Sequence, residues 1–281
     1  MAIGLKARSS FRRGNAATLA LAVGLALTGC ASNGNQPGSS GPGSQLSADT
    51  LMRVADETRN SGDLATAAGL YERAHDMDPQ KIEPLLGLGT VWAQLRQPKS
   101  AADAWQAALA IDPKNTTALR GLANAEIQTG NAAAAIRHLQ TASVDKPDWR
   151  TKNSLGVAYD MLGDHASAQS AYRAGLTVAP DNLQLLTNLG LSLTLSGNFP
   201  EALAMLGKAA RDPAAGARQR QNLALAYGLS GNDQKAAEIL KADLDPAKIQ
   251  ENLGYYEYLR LLHDRKAVAA AIGAHQANGQ N

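Results

Sequence analysis

Few residues in this chain could carry chemistry. Its 281 residues include one cysteine, Cys30, and five histidines, His75, His138, His165, His263 and His275. A lone thiol can form neither an intramolecular disulfide nor a multi-cysteine metal site. The histidines fall at no metal-ligating interval, and no HExxH pair exists. Neither a GxxxxGK[ST] phosphate loop nor a GxSxG nucleophile turn is present. Gly87-Leu88-Gly89 is half of a dinucleotide fingerprint, but close contact between two helices explains it equally well. The expectation is a protein that is not an enzyme and holds no cofactor or metal, with its function on a surface.

Cys30 is singled out by its surroundings. Residues 1–15 carry Lys6, Arg8, Arg12 and Arg13 and no acid. Ala16 to Leu27 is an apolar run, too short for the roughly 20 residues that span a bilayer but suited to the h-region of a secretory signal. Leu27-Thr28-Gly29-Cys30 follows, and resembles the lipobox of bacterial lipoproteins. The resemblance implies a signal peptide over 1–29 and a diacylglycerol-modified, acylated (palmitate-bearing) Cys30. It also implies lasting attachment, because stable anchoring takes more than one acyl chain. Ala31 follows the cysteine in place of the Asp that retains such proteins at the inner membrane. That points to the periplasmic face of the outer membrane. Residues 30–46 are dominated by Gly, Ser, Pro and Asn and read as a flexible tether. Sixteen residues of such chain give an r.m.s. reach of about 20–25 Å.

The charge balance follows from that signal. Lys and Arg number 27 against 25 Asp and Glu, and removal of residues 1–29 leaves 23 against 25. A near-neutral mature chain has no basic field for nucleic acid. With 44% apolar, 19% charged and only 4% aromatic residues, the body is globular and its Ala/Leu core suits packed helices.

A period organises that body. Val54, Leu88, Leu122, Leu155, Leu189 and Leu223 are spaced by 34, 34, 33, 34 and 34 residues, each followed by Gly or Ala. Thirteen residues after each comes an alanine (Ala67, Ala101, Ala135, Ala168, Ala202, Ala236), and four further on a large residue (Tyr71, Trp105, Leu139, Tyr172, Leu206, Leu240). Gly62-Asp63, Gly130-Asn131, Gly163-Asp164, Gly197-Asn198 and Gly231-Asn232 mark a turn inside units 1, 3, 4, 5 and 6, while Pro79, Pro113, Pro147, Pro180 and, one place early, Pro213 close units 1 to 5. Glycine permits a left-handed turn, and Asp or Asn after it can cap the second helix. The small residue beside the Leu lets helices approach, with the alanine expected to meet it. Unit 2 has Arg96-Gln97-Pro98 at the turn, so its turn should differ. Unit 3 has Glu126 where Trp92, Tyr159 and Tyr227 stand elsewhere, predicting a weaker contact or an acid facing the groove.

This pattern resembles the tetratricopeptide (TPR) family. It implies an all-α solenoid with six helix-turn-helix repeats over 47–246, followed by capping helices and a tail over 247–281. Helix A of each unit lines the inner face of such a stack. By repeat position that face includes Arg120, Asn124, Gln128, Asn153, Asp160, Asn188, Gln221 and Asn222. Met52, Arg53, Asp56, Arg59, Thr90, Gln94, Thr194 and Leu229 join them. Side-chain amides offer both donors and acceptors to a peptide backbone. A TPR variant that clamps a C-terminal carboxylate is matched by Arg120 and Asn124. Ser154, Gln184 and Asn188 stand where an Asn and two cations would be needed, so carboxylate capture is not expected.

The whole layout, closing with Asn252-Leu253-Gly254-Tyr255-Tyr256, resembles the TadD-type TPR lipoproteins of the tight-adherence (Tad, Flp) pilus system. That resemblance implies a pilotin-like factor whose groove holds a segment of the outer-membrane secretin or of another pilus assembly protein. A pilotin of a type IV pilus or other secretion machine, and an envelope scaffold recruiting peptidoglycan enzymes, fit the same features.

Overall fold

A computed structural model describes residues 47–143, 148–262, 264 and 267–272. The signal sequence, Cys30 and the tether lie outside the described residues, as do Pro147, His263, His275 and the tail from Ala274. The described chain is helical, with no strand among the described residues.

Six pairs of antiparallel helices follow the period. Unit 1 is α1 (Ala48–Asn60) with α2 (Leu64–Met77), and unit 2 is α3 (Glu83–Gln94) with α4 (Pro98–Ile111). Unit 3 is α5 (Thr116–Gln128) with α6 (Ala132–Ala142), and unit 4 is α7 (Trp149–Met161) with α8 (His165–Val178). Unit 5 is α9 (Leu183–Ser196) with α10 (Phe199–Ala210), and unit 6 is α11 (Ala217–Leu229) with α12 (Asp233–Leu240). The capping helix α13 (Pro246–Leu261) starts with Pro246 in its first turn, where the missing N–H costs nothing. A short helical stretch over 267–272 comes last.

The turns between paired helices are uniform. Gly62, Gly130, Gly163, Gly197 and Gly231 have φ between +76° and +92°. Contrary to expectation, the unit 2 turn does not differ in path, because Arg96 itself takes φ +58°. Gln97 N–H then donates to Trp92 C=O at 2.9 Å, as Asn131 N–H does to Glu126 C=O and Asp164 N–H to Tyr159 C=O. The tertiary fit of the pair overrides the preference of arginine for negative φ. The expected caps form at Asp63, Asp164 and Asn232, whose side chains accept the N–H groups of Thr66, Ser167 and Lys235. Asn131 and Asn198 make no such cap, and Asn198 instead donates its amide to Glu201 at 2.9 Å.

In units 2, 4 and 5 the large residue of helix B packs directly against the small residue on helix A. A Cβ on Gly89 would stand 2.4 Å from the Trp105 ring, and one on Gly156 would stand 2.3 Å from Tyr172. Trp105 is clasped from both sides, since Gly121 of the next unit is equally close. Tyr71 and Tyr172 are at most 1% exposed, and burying such a ring contributes roughly 1.5–3 kcal/mol. Their hydroxyls stay satisfied by donating to Asp56 at 2.6 Å and to Asp160 at 3.0 Å.

Candidate protein-binding groove

The A helices adjoin one another in order, α1 to α3 to α5 to α7 to α9 to α11, and α11 then meets α13. Their shared face is continuous along the array, and three clefts are cut into it. The first, of about 350 Å³, lies between α3 and α5. It is walled by Thr90, Gln94, Arg120, Asn124 and Gln128 over the Trp105 ring. The second, of about 570 Å³, lies between α5 and α7, with Gln184 of α9 at its edge. Arg120, Asn124, Gln128 and Asn153 share its wall with Trp149 and Arg150. Arg150 stacks its guanidinium 4.6 Å from the Trp149 ring centre. These two clefts bring together six of the expected groove residues, Thr90, Gln94, Arg120, Asn124, Gln128 and Asn153.

Several of these side chains are already engaged with each other. Arg120 donates to Asp148 at 2.6 Å, tying α5 to the start of α7. Burial pushes the Asp148 carboxyl up, but hydrogen bonds from Thr151, Arg150 and Arg120 outweigh it and hold the group below the usual carboxylate range. Ser154 donates to Asn124 at 2.7 Å, and Asn188 donates to Asn153 at 2.9 Å. Such pairs fix the amides in place on neighbouring helices and leave their unused donors and acceptors for a ligand. Gln128 and Gln221 are exposed.

Other expected groove residues have different roles. Asp160 is a half-buried tie between three helices. It accepts His165 Nδ1 at 2.7 Å, Ser192 Oγ at 2.7 Å and Tyr172 at 3.0 Å. Burial raises its carboxyl above the usual range, and the hydrogen bonds from Ser192, His165 and Tyr172 oppose this only in part. Thr194 is 1% exposed and bonds the carbonyl of Gly190, so it is a core residue. Leu229 is core as well, and Asn222 is 6% exposed with its amide nitrogen unpartnered. Glu126 does not face an open groove. It pairs with His138 at 2.9 Å, so the anomalous acid of unit 3 is answered by a histidine on its own helix B. Among the described residues, no group of three or more His, Cys, Asp or Glu could hold a metal ion. No described helix is long and apolar enough to cross a membrane.

The third cleft, of about 690 Å³, was not anticipated. It runs between α7 and α9 toward α11, and its wall includes Val157, Met161, Leu191, Leu195 and Leu225 together with Asp160, His165 and Asn188. Ala269, Ala270 and Ile272 of the last helical stretch form one side of it. The signal for it lay in two columns of the repeat. Two residues after the periodic Val or Leu stand Asp56, Thr90 and Asn124 in units 1–3, but Val157, Leu191 and Leu225 in units 4–6. Six residues after it stand Asn60, Gln94 and Gln128, then Met161, Leu195 and Leu229. The inner face therefore changes from polar to aliphatic halfway along the array.

Comparison with known proteins agrees with this architecture. Two tetratricopeptide-repeat family profiles match, one at residues 93–152 and one at residues 55–116 and 153–218, so that together they cover more than half of the chain. The chain is 27% identical over 225 residues to the peroxisomal targeting signal receptor of Eremothecium gossypii, covering 68% of this chain but only 40% of the receptor. The solved structure of pilF from Pseudomonas aeruginosa superposes with a TM-score of 0.63 at 18% identity, covering 74% of this chain and 97% of that one. PilW, described as a widely conserved type IV pilus biogenesis factor, superposes with a TM-score of 0.66 at 18% identity, covering 71% and 94%. At these identities the two structures share the fold.

Proposed function

The chain belongs to the tetratricopeptide-repeat family, and from that premise we propose that it is a lipid-anchored, non-enzymatic scaffold that helps assemble a pilus at the outer membrane. The observation that carries the reading is the unbroken A-helix face. Its ordered amides, Asn124, Asn153 and Asn188, lie on three successive units and are held by hydrogen bonds between neighbouring A helices. Such a face can hold an extended or helical protein segment through backbone hydrogen bonds. The lipobox reading of Cys30 would place that face at a membrane, where tethering raises effective concentration without new contacts.

The partner we favour is the secretin of a tight-adherence (Flp) pilus, as the lipobox, tether, six units and terminal Asn-Leu-Gly-Tyr-Tyr stretch suggest by resemblance. The shared fold with pilF and PilW supports a second reading, in which the machine is a type IV pilus. Cross-linking of the acylated protein in intact envelopes, followed by mass spectrometry of its adducts, tests both. An enriched secretin or pilus protein is expected, and its identity names the machine. Enrichment of cell-wall enzymes without any secretin would overturn the pilus reading in favour of a scaffold for peptidoglycan growth.

A further inference from the structure

We infer that the aliphatic cleft of units 4 and 5 is a separate subsite of the groove, and that it takes an aliphatic segment of the partner protein carrying a lysine or arginine. The inference rests on the protein-binding reading above and adds what the bound segment must look like. Met161 and Leu162 are about half exposed at the cleft mouth, where they extend its apolar lining toward solvent. The polar clefts of units 2–4 offer amides and arginines instead, so a single uniform segment would not suit both halves.

The chain itself shows what fits beside this cleft. Val268 belongs to the buried terminal cluster that contains Leu225 and Leu229, and Ala271 and Ile272, at i+3 and i+4 on the same helical face, pack against that cluster as Leu191 does. Val268 is 1% exposed, so this stretch is held by the terminal core and acts as a fixed wall. The small Ala269 and Ala270 line the side of the cleft and leave it wide. A partner helix with aliphatic residues at the same spacing would continue that packing along Val157, Met161 and Leu195.

The charge is set by Asp160. Its carboxylate lies on the cleft wall beside His165, and no lysine or arginine is among the described residues of the cleft. A carboxylate can accept about four hydrogen bonds, and three donors are in place, from His165, Ser192 and Tyr172. The remaining acceptor and the negative charge favour a cationic donor from the partner.

The test is site-specific photo-cross-linking in intact envelopes, with p-benzoyl-phenylalanine placed at Met161 in one strain and at Gln128 in another. Adducts are digested and the attached peptide is sequenced. The inference expects Met161 to capture a protein segment that is aliphatic at i, i+3 and i+4 and contains a basic residue. A synthetic peptide of that sequence should bind the full chain. Met161→Glu should weaken it more than tenfold, and that position is exposed enough to leave the fold intact. Replacing the peptide's basic residue by norleucine should weaken binding several-fold to the wild type and leave binding to Asp160→Asn unchanged. Capture of lipid, of a polar or acidic segment, or of nothing at Met161, while Gln128 captures protein, overturns the subsite and leaves the scaffold reading standing. Failure of both positions to capture protein overturns both.

Discussion

Replacing Arg96 by glycine should make the array more stable although it deletes a large side chain. Arg96 is the one non-glycine with positive φ among the described residues, at the position where the other five units place glycine. Holding an L-residue in the left-handed region costs roughly 1–2 kcal/mol. Glycine removes that strain but makes the unfolded chain freer, which offsets about 0.4–1 kcal/mol. The side chain is exposed and holds no hydrogen bond or ion pair among the described residues, so little contact is lost. The net expectation is a gain of about 0.5–1 kcal/mol. For an array of this size, where each kcal/mol moves the midpoint about 2–4 °C, Tm should rise about 1–4 °C. Far-UV circular dichroism during heating and in urea measures it. Repeat arrays can depart from two-state unfolding, so the converse variant, Gly163→Arg, serves as the internal control and should lower the midpoint. An unchanged or lower midpoint for Arg96→Gly would refute the claim that this turn stores strain.

Four further outcomes are expected. Gly156→Ala should destabilise by about 1–3 kcal/mol or more in the same melts, since its Cβ would stand 2.3 Å from the fully buried Tyr172 ring. Gly207→Ala, with its nearest neighbour the Arg211 tip at 3.5 Å, should be neutral or slightly stabilising. Carboxyl NMR titration should find Asp148 and Asp243 below the usual aspartate range and Asp160 above it. The first two then contribute stability that is present above the unfolded-state pKa and lost as pH falls through their lowered values. Asp160 works oppositely, because protonation through its raised pKa favours the folded state. Cys30→Ser should release the protein from membranes to the soluble periplasmic fraction with its helical content unchanged, and a variant that still floats with membranes would disprove the anchor.

The fold was legible because its determinants recur. Gly at the turn, a small residue on helix A, alanine on helix B and a large residue one turn later appear in most units, so each supports the others. Physical detail departed from this pattern wherever one unit substitutes a different solution. Arg96 adopts the glycine conformation instead of changing the turn, Asn198 bonds Glu201 instead of capping, and Glu126 finds His138. Each depends on a neighbour in space that spacing alone does not name. The groove was legible only as a face. The sequence placed Arg120, Asn124, Gln128 and Asn153 on one face, and the first two clefts bring them together. It also placed Asp160 there, where the side chain both ties three helices together and lines the third cleft, and Thr194, which is core.

The same distinction explains why the aliphatic half of the groove escaped a reading of the repeat. Positions that build the array must be alike in every unit, because each unit solves the same packing problem against its neighbours. Positions that touch a partner face a different stretch of that partner in each unit and have no reason to agree. The columns carrying Asn124 and Gln128 in unit 3 carry Val157 and Met161 in unit 4, and to a search for periodicity this looks like noise. Read across units it is a composition profile of whatever lies in the groove. Amides would follow the backbone of a polar stretch, aliphatic side chains would cover an apolar one, and Asp160 would meet a charge where the two halves join.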